Sequence, residues 1–193
     1  IGTSTGLYLL EKATGKYTYI QMPVESYYIY SLCQASDGML YIGTNNAGLL
    51  VYDTTKNTFR HYHRDNCALI SNNIYTLLSD GKGNIFLSTE HGLSTFYPVE
   101  ETFHNWTKEQ GLKSDHFNAA SGTLRKNGNF IFGSTDGAIE FNKDMILPRD
   151  YKFKMVFSDL RVFYQTVYPK DEGSPLILDI DETKTLRLKY NQN

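Results

Sequence analysis

The chain has 193 residues, which allows one large domain or one domain and part of another. Its formal net charge of −2 does not favour a nucleic-acid surface, and no apolar run of about 18 residues predicts a membrane-spanning helix. No signal peptide is visible either. The 15 tyrosines, 11 phenylalanines and 15 glycines are typical of many short strands joined by tight turns.

One short pattern recurs along the chain. Each copy has an apolar strand that ends in Gly or Ser, then a turn, then a second apolar strand. The small residue is Gly2, Gly43, Ser88 and Gly133 in turn, with spacings of 41, 45 and 45. A period near 40–45 residues predicts a β-propeller. Because the first copy is already under way at Ile1, we expect the chain to be a piece of a longer protein.

The copies predict the strands in chain order. The second copy predicts strands at 29–35, 39–44, 49–53 and 58–63, and the third predicts strands at 74–79, 85–89, 93–97 and 102–106. The fourth copy opens with a strand at 117–124. A single sheet of this kind cannot cover both of its apolar faces, whereas stacked blades bury them against each other. We therefore predict an all-β fold, with a partial β-propeller of about three and a half four-stranded blades over residues 1–147.

After Phe141 the repeat stops. Residues 151–164 form a long strand-like run, and residues 176–180 and 185–190 are two further strand candidates. These segments do not match the repeat. They predict the first strands of a separate β-sandwich over residues 148–193.

Motifs for catalysis or metal binding are not found. The sequence has no Gly-x-Ser-x-Gly elbow, no His-Glu-x-x-His and no phosphate-binding loop. His61 and His63 share a strand face, but a zinc site needs at least one more ligand, and nothing nearby supplies it. We expect no catalytic residue, no metal and no cofactor in this chain. A pair of facing carboxyls from the loops, as in a glycosidase, stays open.

The two cysteines, Cys33 and Cys67, are expected to be small apolar residues. A disulfide needs Cα atoms within about 7 Å of each other. The sequence does not provide that distance, so the pairing stays open.

Ligand binding is the better hypothesis. In a propeller, the loops that lead to the next blade and the loops between strands two and three share one face. Amide, charged and imidazole groups there suit sugar hydroxyls. The candidates are Asn45, Asn46, Arg64, His91, Trp106, Lys108, Lys113, His116 and Asp136. Trp106 has two interpretations, stacking on a sugar or packing between blades. The basic members could favour an acidic sugar or simply be solvated.

Residues 37–44, Asp-Gly-Met-Leu-Tyr-Ile-Gly-Thr, and then Gly48-Leu49 resemble the two-component-regulator propeller repeat, with Tyr41 in place of the usual Trp. Two lead-in loops, 69–74 and 111–118, resemble the same family. The segments 156–163 and 186–193 resemble the triple-tyrosine (Y-Y-Y) domain that follows this propeller. Ser88 departs from the family's glycine without threatening the fold.

The resemblance is to the sensor region of a Bacteroidetes hybrid two-component system. It implies a periplasmic module that detects oligosaccharide or polysaccharide fragments and works as a homodimer. It also implies a parent protein that spans the inner membrane and carries a histidine kinase. No nucleic-acid contact is expected from this part. Two alternatives stay open: a propeller that serves only as a protein-interaction platform, and a polysaccharide lyase or hydrolase.

Overall fold

The computed structural model describes residues 1–24, 28–142 and 157–188. The chain divides into two compact units, Ile1–Pro148 and Arg149–Asn193. The predicted boundary between residues 147 and 148 lies outside the described residues. Apart from one 3₁₀ turn, Lys108–Gln110, the regular structure of the described residues consists of β-strands. The predicted all-β class is therefore confirmed.

Blades two and three are four-stranded antiparallel sheets in which each strand pairs with its neighbour along the chain. The strands of blade two are β4 (Ile29–Gln34), β5 (Leu40–Thr44), β6 (Leu49–Asp53) and β7 (Thr58–Tyr62). The strands of blade three are β8 (Ile74–Ser79), β9 (Ile85–Thr89), β10 (Gly92–Tyr97) and β11 (Thr102–Trp106). These bounds differ from the predicted ones by at most one residue, because turn residues separate every strand pair.

The outer two blades have three strands each within the described residues. Blade one contains β1 (Gly2–Thr3), β2 (Gly6–Leu10) and β3 (Tyr17–Ile20). Blade four contains β12 (Phe117–Leu124), β13 (Asn129–Ser134) and β14 (Gly137–Asn142). With blades two and three they form the predicted partial propeller.

Three apolar clusters fill the spaces between successive blades. Between blades two and three, the buried rings of Tyr41, Tyr62 and Phe96 pack with aliphatic side chains from both sheets. Between blades three and four, the cluster is built around Phe86, Phe130 and other phenylalanines. Successive sheets thus bury their facing surfaces against each other, which is the physical reason for the repeat.

In the first two copies, the small residue of the motif lies against the first strand of the next blade. A Cβ atom added to Gly43 would lie 2.8 Å from Cγ2 of Ile74, the first residue of the next blade. At Gly2 the same atom would lie 2.6 Å from Cγ2 of Ile29. Real Cβ contacts are longer than this, so a larger side chain would push the blades apart.

In the second unit the described residues form one hairpin, β15 (Leu160–Val162) with β16 (Gln165–Val167). Its two turn residues, Phe163 and Tyr164, have positive φ angles of 51° and 66°. The predicted strand at 176–180 is wrong, and residues 185–188 form no strand; turns and irregular structure occupy 168–188. Alternation of apolar residues was the only signal there, and hydrogen-bonded turns such as Ser174 N–H to Asp171 O replace the ladder. Residues 189–193, and 151–156 of the predicted long strand, lie outside the described residues.

Cys33 and Cys67 are both free thiols that pack beside the cluster between blades two and three. Burial raises the pKa of each thiol. Among the described residues, no helix has the length and apolarity to cross a membrane.

Candidate functional site

Five loops meet on one face of the propeller, and we call this surface the loop face. It is formed by residues 45–48, 63–73, 90–91, 107–116 and 135–136. Hydrogen bonds tie each loop to a neighbour. The N–H of Asn46 donates to Oδ1 of Asn73 over 2.7 Å, and the N–H of Thr135 donates to the carbonyl of His116 over 3.0 Å. The loops that were predicted to share a face therefore do so.

The turns of the loop face owe their shape to the motif itself. In blade three, Oγ1 of Thr89 donates to the carbonyl of Gly92 over 2.8 Å and accepts from the N–H of His91 over 3.1 Å. The other copies repeat this bond from the equivalent hydroxyl over 2.7–2.9 Å. A side-chain hydroxyl that holds its own turn leaves the two intervening residues free to vary. In blade three those residues are Glu90 and His91.

Glu90 is the centre of the polar contacts on this face. Oγ of Ser71 donates to its carboxylate over 3.0 Å, and Nε2 of His91 lies 3.6 Å from the same oxygen. Hydrogen bonds from the side chains of Asn73 and Ser71 lower the pKa of Glu90, and the nearby charges of His91 and Arg64 act in the same direction. The side chain is 38% exposed, so an ionised carboxylate with spare acceptor capacity faces solvent here.

A second histidine reaches the same turn from the following blade. Nδ1 of His116 lies 2.9 Å from the backbone carbonyl of Glu90. Two residues before His116, the buried hydroxyl of Ser114 accepts a hydrogen bond from the N–H of His116 and donates one to its carbonyl oxygen. The imidazole is exposed, and its position is set by the loop that enters blade four. The site thus draws on loops of at least two blades.

Three tyrosines continue the site along the first strands of blades two and three. The rings of Tyr28 and Tyr30 have centroids 4.9 Å apart, and the rings of Tyr30 and Tyr75 are 5.4 Å apart at 75°. Burial raises the pKa of Tyr75, and the charge of Glu90 adds to the rise. The aromatic row therefore ends beside the carboxylate.

One copy of the repeat matches a known family. The family model described as "Two component regulator propeller" matches residues 23–46. These residues include strands β4 and β5. The second copy of the repeat is therefore similar to that family over these residues.

Proteins similar to this chain are found among signalling proteins. Histidine kinase P4 of Formosa agariphila is 26% identical over 148 residues, which are 77% of this chain and 11% of the kinase. The extracellular domain of the putative hybrid two component system BT3049 from B. thetaiotaomicron is 20% identical with a TM-score of 0.59. The match covers 76% of this chain and 21% of that one.

A further solved structure has a similar fold. It is the extracellular domain of the putative one component system BT4673 from B. thetaiotaomicron, which is 21% identical with a TM-score of 0.59. The match covers 76% of this chain and 20% of that chain. At these identities the solved structures establish the fold alone, and this chain spans only a small part of each relative.

The structure places the predicted site residues in three ways. Arg64, His91 and His116 are exposed and gather around Glu90. Asn45 and Asn46 are exposed in the adjoining turn of blade two, where the N–H of Asn45 donates to the carbonyl of Tyr28 over 2.9 Å. The last three candidates are also exposed, and within the described residues their side chains make no contact with this cluster: Lys108, Lys113 and Asp136.

Trp106 lies elsewhere in the propeller. It is half-buried and packs against the phenylalanine cluster between blades three and four, with its ring 4.4 Å from that of His104. Its Nε1 atom is buried and has no acceptor among the described residues. This placement matches the packing interpretation of Trp106.

Sequence reasoning missed Tyr28, Tyr30 and Tyr75, and it gave Glu90 no special weight. One signal for the tyrosines was present, because Tyr30 and Tyr75 are 45 residues apart and hold the same place in two copies. No group of three or more His, Cys, Asp or Glu side chains in the described part of the chain could hold a metal ion. His61 instead bonds the carbonyl of Ala47 through Nε2 over 2.6 Å.

Proposed function

We propose that this chain is a sensor domain of a two-component signalling protein and that its ligand binds on the loop face. The observation that carries the proposal is the Glu90 carboxylate, held by Ser71 and Asn73 yet partly open to solvent. Polar groups fixed by the fold and turned to solvent are what a binding site needs, because little ordering cost remains to be met on binding. The histidine kinase relative and the family of the repeats support this role.

The ligand we propose is an oligosaccharide or polysaccharide fragment. Sugar hydroxyls both donate and accept hydrogen bonds, so they suit a surface that offers both kinds of group. The Glu90 carboxylate accepts, the Arg64 guanidinium donates, and the imidazoles of His91 and His116 can do either. Among the described residues, the one hydroxyl that hydrogen-bonds to the Glu90 carboxylate, that of Ser71, is buried and so does not face a bound polysaccharide, which favours binding over turnover.

The proposed setting is periplasmic, in a homodimer whose parent protein spans the inner membrane. Two extracellular domains with this fold support a position outside the cytoplasm. In this mechanism the ligand binds one arrangement of the two protomers more tightly than the other. A signal requires such a difference, because a ligand with equal affinity for both arrangements shifts nothing.

The test uses the full-length protein that contains this chain, in membrane vesicles supplied with labelled ATP. Cello-, xylo-, manno- and galacto-oligosaccharides are added one at a time, and phosphorylation of the protein is measured. We expect one class of sugar to change the rate, and the Glu90→Gln variant to need more of that sugar for the same change. The variant Glu100→Gln serves as the matched control, because Glu100 is exposed in the turn between β10 and β11, at the opposite end of the blade.

Three outcomes would contradict the proposal. A parent reading frame without a transmitter module would remove the sensor role. A phosphorylation rate that ignores every sugar while responding to an added protein would favour the interaction platform. Cleavage of a polysaccharide by the purified chain would favour the lyase or hydrolase.

A further inference from the structure

We propose that Tyr30 and Tyr75, whose rings meet edge to face, form an aromatic platform on which a neutral pyranose ring packs while Glu90 accepts hydrogen bonds from its hydroxyl groups. This inference deepens the proposed function and rests on it. It names the binding residues, which neither the relatives nor the family assign.

The first argument is the place of the two tyrosines in the sheet. In blade two, Ile29 pairs with Thr44 and Ser31 pairs with Gly43, so Tyr30 is the extra residue of a β-bulge. Blade three repeats the bulge, with Tyr75 between Ile74 and Thr76. A bulge re-aims one side chain out of the regular alternation, and bulges are frequent beside binding sites.

The second argument is that the neighbours of these tyrosines already hold the blades together. Ile29 and Ile74 pack against the motif glycines of the preceding blades. Oγ of Ser31 accepts a hydrogen bond from the N–H of Leu77 over 2.9 Å, which joins blades two and three. These contacts between the blades are made by the neighbours of Tyr30 and Tyr75 and not by the two tyrosines.

The third argument is that the two tyrosines come together near the propeller axis. Equivalent residues of neighbouring blades whose rings lie 5.4 Å apart must be near the propeller axis, where the blades come closest. The rings of Tyr30 and Tyr75 are only half-buried, and Tyr28 beside them is 49% exposed. Neither phenol of the pair donates a hydrogen bond to any residue that the structure describes. Within the described residues, these phenol groups can therefore meet a ligand without losing a hydrogen bond.

The chemistry of the surroundings selects the occupant. Tyr75 packs against the cluster between blades three and four, which keeps its ring rigid. An aromatic face attracts the C–H groups of a sugar ring, and rigidity lowers the entropy cost of stacking. The Glu90 carboxylate on the same rim is partly exposed and accepts hydrogen bonds from hydroxyl groups, whereas a ligand carboxylate has no hydrogen to donate to it. A neutral pyranose meets both requirements, whereas a uronic acid meets only the first.

The test is isothermal titration of the full-length protein that contains this chain with cellohexaose, xylohexaose, mannohexaose and galactohexaose, and with a hexamer of galacturonic acid. We expect the chain to bind a neutral hexamer and not the acidic one. Tyr75→Ala and Tyr30→Ala should each raise the dissociation constant about tenfold, since an aromatic contact of this kind contributes about 1.4 kcal/mol. Tyr75→Phe should retain most of the affinity, because stacking needs the ring.

Tyr17→Ala is the matched control. Tyr17 is 62% exposed and begins strand β3, at the end of blade one away from the loop face. Its removal should leave sugar affinity unchanged. Tyr75→Leu covers the case in which Tyr75→Ala fails to fold, because leucine keeps apolar volume against the cluster and has no ring.

The results separate the two proposals. Neutral-sugar binding that is equal in wild type, Tyr75→Leu and Tyr30→Ala would overturn the platform and leave the sensor role intact. Preference for the acidic hexamer would overturn the choice of ligand. No binding of any hexamer, with phosphorylation that responds to another molecule, would overturn the platform but not sensing.

Discussion

The hydroxyl of Tyr41 donates a hydrogen bond to Oδ2 of Asp37 over 2.6 Å, and the two residues are four positions apart in the repeat motif. The Tyr41 ring is fully buried between blades two and three, whereas Asp37 is exposed in the turn before β5. Asp37 also accepts the N–H of Met39 over 3.0 Å. One carboxylate therefore shapes the turn and satisfies the hydroxyl of a buried ring. Burial and this bond raise the pKa of Tyr41 above its usual range.

This relationship predicts the effect of Tyr41→Phe. The variant loses a hydrogen bond to a charged group, so its free energy of unfolding should fall by about 1.5–3 kcal/mol. Asp37→Ala should cost a comparable amount, because it leaves the buried hydroxyl unpaired, and the double variant should cost less than the sum. Urea unfolding at neutral pH measures all three, with the exposed Tyr17→Phe as control. An unchanged midpoint for Tyr41→Phe would contradict the bond.

A second prediction concerns Gly48, which follows the turn between β5 and β6. Its φ angle is +77°, and a Cβ atom there would lie 2.2 Å from the carbonyl oxygen of Tyr62. Gly48→Ala should therefore lower the free energy of unfolding well beyond the ~1 kcal/mol that a strained φ alone costs. Gly38→Ala is the matched control, because Gly38 has φ of +80° and no atom within 4 Å of that position. Equal losses in thermal unfolding would show that the close approach to Tyr62 does not matter.

The sequence predicted the strands best where the motif is repeated. Strand β9 was predicted residue for residue, because several positions recur at one offset and any single weak motif is checked by its copies. The strand proposed at 176–180 had no second copy, and a short apolar run alone does not distinguish a strand from a turn-rich segment.

The site shows a different limit. Tyr30 and Tyr75 lie in β-bulges, and a bulge is a property of strand pairing that alternation along one strand does not reveal. Glu90 is important because Ser71 and Asn73, from another loop, hold its carboxylate. The variable loops were the place that the sequence indicated, but the contacts between loops required the structure.

Low pH should destabilise the turn between β6 and β7, because it protonates Asp53. Hydrogen bonds from the Thr55 hydroxyl and from backbone N–H groups lower the pKa of Asp53 to about 2 from an ordinary value of 3.8. Because the folded pKa lies below the unfolded one, this contribution to stability is present above pH 3.8 and is lost as the pH falls towards 2. Thr55→Val should raise the pKa of Asp53, as followed by NMR titration of its carboxyl carbon.

Thr54→Val, in the same turn, is the control for this titration. The Thr54 side chain makes no hydrogen bond to the described residues, so its removal should leave the pKa of Asp53 unchanged. If both valine variants shift that pKa equally, the Thr55 hydroxyl is not its cause.

The last prediction separates packing from ligand contact at Trp106. Since the ring packs in the cluster between blades three and four, Trp106→Leu should lower the free energy of unfolding by about 1–3 kcal/mol. Trp106→Phe should cost less, because it keeps a ring in the cluster and removes the buried Nε1–H that has no acceptor in the described chain. Thermal unfolding followed by circular dichroism measures both changes.

Ligand affinity gives the complementary measurement for the same variants. At a temperature where both are folded, the dissociation constant for the neutral hexamer should equal that of the wild type. A tenth of the wild-type affinity in Trp106→Leu, with full affinity in Trp106→Phe, would make Trp106 a stacking residue. Unchanged affinity together with lower stability would leave Tyr30 and Tyr75 as the aromatic residues of the site, because Trp106 then contributes only to the interface between blades.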